Sequence, residues 1–275
     1  IDDMSGKMHE PPVKIAGIVG RTAQAVREAG LAVSYGYHAG LLSLSAFHDA
    51  TVDEMIAHAK EIARIIPLFG FYLQPSVGGR LLSHEFWRRF VRIPNVIAVK
   101  VAPFNRYQTI DVVRAVAEEG REREIALYTG NDDTIISDLL TPFRYTISGS
   151  EKTLRIRGGL LGQWAVGTRR ASKILTDIHS LEKSGRDIPG TLLRMNAELT
   201  DVNGALFDAS NSFAGCIPGI HEILRRQGLF VTNRTLDPDE MLSPGQMEEI
   251  DRVHCSYPHL FDDDFILTHR DEWMA

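Results

Sequence analysis

Cysteine is nearly absent from this chain: Cys216 and Cys255 are the only two in 275 residues, with no Cys-x-x-Cys or Cys/His ligand spacing. That excludes a disulfide framework and a cysteine-based zinc site, and points to reduced thiols in the cytoplasm. Long apolar runs are missing too. None approaches the roughly 20 residues of a membrane span, and the N-terminus lacks a signal-peptide pattern. Positive charge is in deficit: the formal net charge is −6 and the pI near 5.9. Neither nucleic acid nor an anionic membrane is attracted by such a balance, and Arg88-Arg89 or Arg169-Arg170 are too short to reverse it. No Gly-x-Gly-x-x-Gly follows a predicted strand, which weakens a nucleotide- or flavin-binding reading.

What remains is an ordinary globular composition, 44% hydrophobic and 24% charged, arranged as alternating strand and helix patterns. Val13–Gly20, Ala39–Ala46, Leu68–Leu73, Val96–Val101 and Ile125–Thr129 read as β-rich runs. Thr22–Ser34, Thr51–Ile66, Ser83–Val91, Gln108–Glu119 and Thr134–Leu140 read as helices between them, the second opened by a Thr51/Glu54 capping box. Gly158–Val166 reads as a sixth, glycine-rich strand. Alternation of this kind means βαβ units and a parallel sheet, either doubly wound or closed as a barrel. Beyond residue 168 the pattern turns helical (Arg169–Leu181, Thr191–Phe207, Gly219–Gln227). The expected division is therefore a barrel over 1–168 and a helical region with its tail over 169–275.

Polar groups gather at the ends of the predicted strands. Lys100 closes Val96-Ile97-Ala98-Val99, with Ala98 beneath it and Val96 further down the same face by strand alternation. A buried ammonium is costly, so such a lysine either snorkels to solvent or has its pKa depressed and can attack a carbonyl as a neutral amine. Tyr72 ends the third strand on a face shared with Gly70 and Gln74, placed to relay protons or simply to fill the core. Gly130-Asn131-Asp132-Asp133 follows the fifth, as a site loop or as a turn capping the next helix. In a (β/α) barrel the active site lies at this end.

Ile93-Pro94-Asn95-Val96-Ile97-Ala98-Val99-Lys100, with Phe71-Tyr72-Leu73-Gln74-Pro75 upstream and Gly130-Asn131-Asp132-Asp133 downstream, resembles the dihydrodipicolinate synthase and N-acetylneuraminate lyase superfamily. Ile15–Thr22 looks like its third-strand signature, Gly159-Leu160-Leu161-Gly162 like its final barrel strand, and Ile217–Leu229 like its C-terminal helix. The resemblance covers about residues 13–230. It implies a (β/α)8 TIM-type barrel with a C-terminal helical extension, assembled as a homo-oligomer, dimer or tetramer. It also implies a Schiff base between a lysine and pyruvate or a related 2-oxo acid, with no metal or organic cofactor. Lys100 then takes the Schiff-base role and Tyr72 the proton relay. Gly130, Asn131, Asp132, Leu161 and Gln74 fall to substrate binding, with His48 a polar substitute in the loop after the Ala39–Ala46 strand.

Three departures accompany the match. Nothing before Val13 resembles the family's first two βα units, so the expectation is a longer polypeptide with roughly 60–90 further N-terminal residues, on the prior of about 30 residues per βα unit. Phe47-His48-Asp49 stands where dihydrodipicolinate synthases carry a Tyr pair, so a different member of the superfamily is expected. Tyr145–Arg157 reads as an inserted hairpin, and Asp262-Asp263-Asp264 in the tail as a solvated turn rather than a metal site. The sequence therefore predicts a Schiff-base lyase. The alternative is a silent or sensor-like barrel that binds a 2-oxo acid without turnover.

Overall fold

The structure is a computed structural model that describes residues 11–275. The first ten residues, which bear on whether a further βα unit precedes Val13, lie outside the described residues. Strand and helix alternate as β1 (Ile15–Ile18), α1 (Thr22–Ser34), β2 (Ala39–Leu42), α2 (Val52–Ala63), β3 (Leu68–Leu73), α3 (His84–Val91), β4 (Val96–Ala102), α4 (Arg106–Glu118), β5 (Ala126–Thr129) and α5 (Ile135–Leu140). Next come β6 (Phe143–Ile147), β7 (Ser150–Leu154) and β8 (Ile156–Gly159). Five helices complete the chain: α6 (Thr168–Ser184), α7 (Gly190–Leu206), α8 (Cys216–Arg226), α9 (Gln246–Ser256) and α10 (Asp263–Trp273). The main sheet runs in the order β1-β2-β3-β4-β5-β8, with β1 to β4 paired in parallel. Serial order with helical crossovers is the pattern of a TIM-type (β/α) barrel, here with six strands among the described residues and helices after them. β6 and β7 form a separate antiparallel hairpin, so the hairpin read at Tyr145–Arg157 is present, starting two residues and ending three residues earlier.

By their contacts the described residues divide into two compact units, residues 11–127 with 143–154, and residues 128–142 with 155–275. This division by contacts passes through β5.

In the first unit, local signals explain the elements. α2 begins at a complete capping box. The Glu54 N–H donates to the Thr51 hydroxyl at 3.3 Å and the Thr51 N–H to the Glu54 carboxylate at 2.7 Å; the Thr51 N–H, with the Thr51 hydroxyl donating at 2.9 Å, holds the Glu54 carboxyl below its usual range. Ser83 caps α3 through the Phe86 N–H, and Asn105 caps α4 through the N–H groups of Tyr107 and Gln108. β3 and α3 pack so closely that a Cβ at Gly70 would lie 2.7 Å from the Phe90 ring. Three strands end earlier than their β-rich runs, β1 by two residues and β2 and β8 by more. β2 stops at Leu42 because Ser43 and Ser45 bond to each other, hydroxyl to hydroxyl at 3.0 Å, and lead into a 3₁₀ turn at Ser45–Phe47. β8 stops at Gly159, and Gly162 already has helical dihedrals, opening a 3₁₀ turn at Gln163–Ala165.

In the second unit, α7 packs against α5, α8 and α9. The Asp262–Asp264 triplet is not a solvated turn. Asp262 is 4% exposed, and its carboxylate accepts the Arg169 and Arg170 N–H groups at 2.7 and 3.0 Å, capping α6 from 92 residues away. Asp263 accepts from Gln227 and pairs with His254, while Asp264 alone is exposed. Two unsatisfied helix N–H groups drew the acid inward, a demand invisible from its own neighbours. No group of three or more His, Cys, Asp or Glu residues among the described residues could hold a metal ion. None of the described helices is long and apolar enough to cross a membrane. Cys216 and Cys255 are free thiols.

Candidate functional site

Lys100 sits near the C-terminal end of β4, half-buried, and Phe71 is its register partner on β3. Paired residues of parallel strands share a face, and the Lys100 Nζ lies 4.4 Å from the Phe71 ring centroid. An aromatic face at that range stabilises a cation. Phe71 was missed by sequence reasoning, because only the strand register reveals which residue of β3 stands beside Lys100.

That register also departs from simple alternation. Leu68 pairs with Val96, but the next residue, Phe69, pairs with Ala98, so Ile97 is an extra residue in β4 and is 40% exposed. The irregularity places Val96 and Ala98 on different faces. Ala98 does lie beneath Lys100; Val96 does not share that face. Two residues beyond β4, Phe104 has a left-handed φ of 51°, an uncommon state for a bulky side chain.

Tyr72 pairs with Val101 and points away from the Lys100 face. Its ring lies 5.3 Å from that of Trp87 on α3. Its hydroxyl donates to the Leu82 carbonyl at 3.3 Å and accepts from the Leu82 N–H at 3.2 Å. Burial pushes the phenol above its ordinary pKa, opposed by the Leu82 bond. The expected face-to-face placement of Tyr72 and Lys100 is therefore not found: adjacent pairs in one register must face opposite ways. Gln74 is buried just past β3, and its carbonyl accepts the Val77 and Gly79 N–H groups, which makes it part of a turn. His48 is exposed at the end of the Ser45–Phe47 turn. Beneath that turn lies a cluster no motif predicted. His58 is buried, bonds Thr22 at 2.9 Å and packs against Phe47 at 4.3 Å; burial, with Arg21 nearby, lowers its pKa to about 4.

The second unit carries the other predicted residues. Gly130, Asn131 and Asp132 are buried directly after β5. Asp138 of α5, fully buried, accepts the Thr129 hydroxyl at 2.6 Å and the Asn131 side-chain amide at 3.0 Å; the Asn131 N–H returns to Thr129 at 3.1 Å. The Asp132 carboxylate accepts the Gln163 N–H at 3.3 Å, joining this loop to the turn after β8. Leu161 lies half-buried in that turn, and the Leu160 N–H bonds the Thr129 carbonyl at 2.9 Å. Gly159 is closely packed: a Cβ there would fall 2.6 Å from the Leu161 side chain and 2.9 Å from the Trp164 ring, which would have to shift. The structure thus joins Asn131 and Asp132 by hydrogen bonds into one strand-end cluster, with Gly130 and Leu161 next to its members in the chain. Asp138 and Gln163 are the members that sequence reading missed, since nothing in their own spacing distinguishes them.

The model of the dihydrodipicolinate synthetase family matches residues 6–169. Among curated proteins, the chain is 31% identical over 130 residues to a 4-hydroxy-tetrahydrodipicolinate synthase of Herminiimonas arsenicoxydans, covering 46% of this chain and 42% of that protein. It is 33% identical over 100 residues to the protein of the same name from Caldicellulosiruptor bescii, covering 35% and 32%. The chain thus matches less than half the length of these relatives. Among solved structures it is similar to dihydrodipicolinate synthase from Acinetobacter baumannii complexed with pyruvate, with a TM-score of 0.67 and 20% identity over 87% of this chain and 73% of that one. N-acetylneuraminate lyase from Fusobacterium nucleatum complexed with pyruvate aligns with a TM-score of 0.63 and 16% identity, over 88% and 71%. At such identities these likenesses show the fold.

Proposed function

Because this chain belongs to the dihydrodipicolinate synthetase family, we propose that it is a Schiff-base lyase acting on pyruvate or a related 2-oxo acid. The observation that carries the reading is Lys100 at the C-terminal end of a barrel strand, its Nζ against the Phe71 ring. In the proposed reaction the neutral Lys100 amine attacks the 2-oxo carbon, and with one proton taken up from solvent water leaves, giving a protonated imine. When a carbon–carbon bond breaks beside it, the bonding pair flows into the imine and leaves an enamine; a proton returns to carbon, and hydrolysis frees the 2-oxo acid and the lysine. The Phe71 ring supports the positive charge of the imine. Gly130, Asn131, Asp132 and Leu161 are assigned to holding the substrate, by resemblance and by their place at strand ends. Tyr72 has no part in the proton transfers in this reading, its hydroxyl being spent on Leu82 on the other face of the sheet.

The aldehyde partner is proposed to differ from that of the dihydrodipicolinate synthases, because Phe47 and His48 replace the Tyr pair and Phe47 is buried against His58. Turnover assays with aspartate semialdehyde plus pyruvate, and with 4-hydroxy-2-oxo acids and sugar acids, test this. Cleavage of one of the latter, lost in Lys100→Ala, is the expected result. Turnover confined to aspartate semialdehyde contradicts the substrate assignment, and turnover by Lys100→Ala contradicts the mechanism. Assembly into dimers or tetramers through subunit contacts belongs to the same proposal.

A further inference from the structure

α7 presents three polar side chains, Asn196, Thr200 and Asn203, at intervals of four and three residues, the spacing of a single helix face. All three close on the segment that follows β5. The Asn203 side-chain amide donates to the Asp132 carbonyl at 2.7 Å. The Thr200 hydroxyl lies 2.7 Å from the Asp133 carbonyl, and also 2.8 Å from the Asn196 carbonyl one turn back. Asn196 Oδ1 accepts the Ser137 N–H at 3.0 Å. That N–H belongs to the first turn of α5, a six-residue helix whose Thr134 N-cap makes no side-chain bond. α7 therefore supplies what the local sequence does not. On α5 itself, Asp138 holds Thr129 and Asn131. The loop is gripped at 129 and 131 by one helix and at 132, 133 and 137 by another.

Core packing alone does not call for such an arrangement. A helix face against a loop is ordinarily apolar, and each buried polar side chain is worth keeping only if its partner is fixed. Asn203 is 3% exposed, so its bond to Asp132 is shielded from water. A strand-end loop with several main-chain groups pinned from outside is built to hold a geometry.

We infer that the Asn196–Thr200–Asn203 stripe is the positioning element of the substrate loop, setting affinity for the 2-oxo acid without touching it. This rests on the reading that Gly130–Asp132 binds that acid. Thr200→Val keeps the shape and removes the hydroxyl; Thr200→Ser restores it. Asn203→Ala removes the second clasp.

The test measures pyruvate dependence of imine trapping by borohydride in the full chain, with amide hydrogen exchange of residues 130–138 alongside. The expected result for Thr200→Val and Asn203→Ala is a half-saturating pyruvate concentration raised roughly three- to tenfold, the scale of one neutral hydrogen bond. The trapped plateau at saturation stays unchanged, exchange accelerates in 130–138 alone, and Thr200→Ser is close to wild type. Unchanged half-saturation overturns the inference, as does a loss of thermal stability in which the plateau falls while half-saturation stays put. If wild-type protein forms no adduct, it is the lysine reading that fails. Saturation-transfer NMR with pyruvate then makes the same comparison, and equal affinity across the variants, or no binding by wild-type protein, overturns the positioning role.

Discussion

Replacing Tyr72 by Phe removes one oxygen and tests the strand register directly. The Tyr72 hydroxyl is the donor to one side of Leu82 and the acceptor for the other, at 3.3 and 3.2 Å, in a fully buried site. Its loss leaves the Leu82 N–H and carbonyl without that partner away from water. One neutral hydrogen bond contributes about 1 kcal/mol, and an abandoned buried group costs about 1–3 kcal/mol. The ring keeps its contact with Trp87 and creates no large cavity, so the expected total is about 1–3 kcal/mol. For a chain of this size that is a fall in melting temperature of roughly 2–4 °C per kcal/mol. Because the phenol faces away from Lys100, imine formation with pyruvate and the rate at saturating substrate should stay within about twofold of wild type. Denaturant melts and steady-state kinetics of the same preparation read both quantities. A rate loss of roughly 10²-fold or more, the scale of a missing acid–base group, with unchanged stability would refute the register argument and return Tyr72 to the chemistry.

Other outcomes follow from the same physics. Asp262→Ala should cost about 1 kcal/mol, the ordinary loss of a helix cap, and chemical denaturation of the variant checks it; no change would mean that α6 does not depend on its distant carboxylate. Glu222 is held at a pKa of about 2 by its hydrogen bonds to Arg225 and Arg226. Its stabilisation is present above the usual carboxylate range and fades as pH falls towards 2. Glu222→Gln should cost about 1–2 kcal/mol at pH 7, the arginines being partly in solvent, and the difference from wild type in denaturant melts should shrink on acidification. His58 works in the opposite sense: its folded pKa of about 4 lies below the unfolded value near 6.5. The unfolded chain takes up the extra proton, so stability should decline from pH 6.5 to 4, and His58→Gln should flatten that slope.

The fold was legible where each residue's role is set by its neighbours in sequence. The Thr51/Glu54 box announces α2, the apolar run Leu68–Leu73 coincides with β3, and the apolar spacing over Thr22–Ser34 matches α1 to the residue. Strand ends were overrun where serines or glycines redirected the backbone, at Ser43 and beyond Gly159. What needed coordinates was everything set by long-range pairing. The extra residue at Ile97 re-phases β4, and the register gives Lys100 a phenylalanine for a neighbour while turning Tyr72 to α3. The Asp262 cap and the α7 stripe join segments 59 to 93 residues apart, and no local spacing encodes their partners. The strand-end placement of Lys100 and of the polar loop after β5 was legible, because strand-end polarity is written in the local sequence.

The most direct test of the account is to incubate the protein with pyruvate, reduce with borohydride, and map the adduct by peptide mass spectrometry. One pyruvate-derived mass on the peptide carrying Lys100, absent from Lys100→Ala protein with an intact fold, is the predicted result. An adduct on any other lysine, or none at saturating pyruvate, contradicts it.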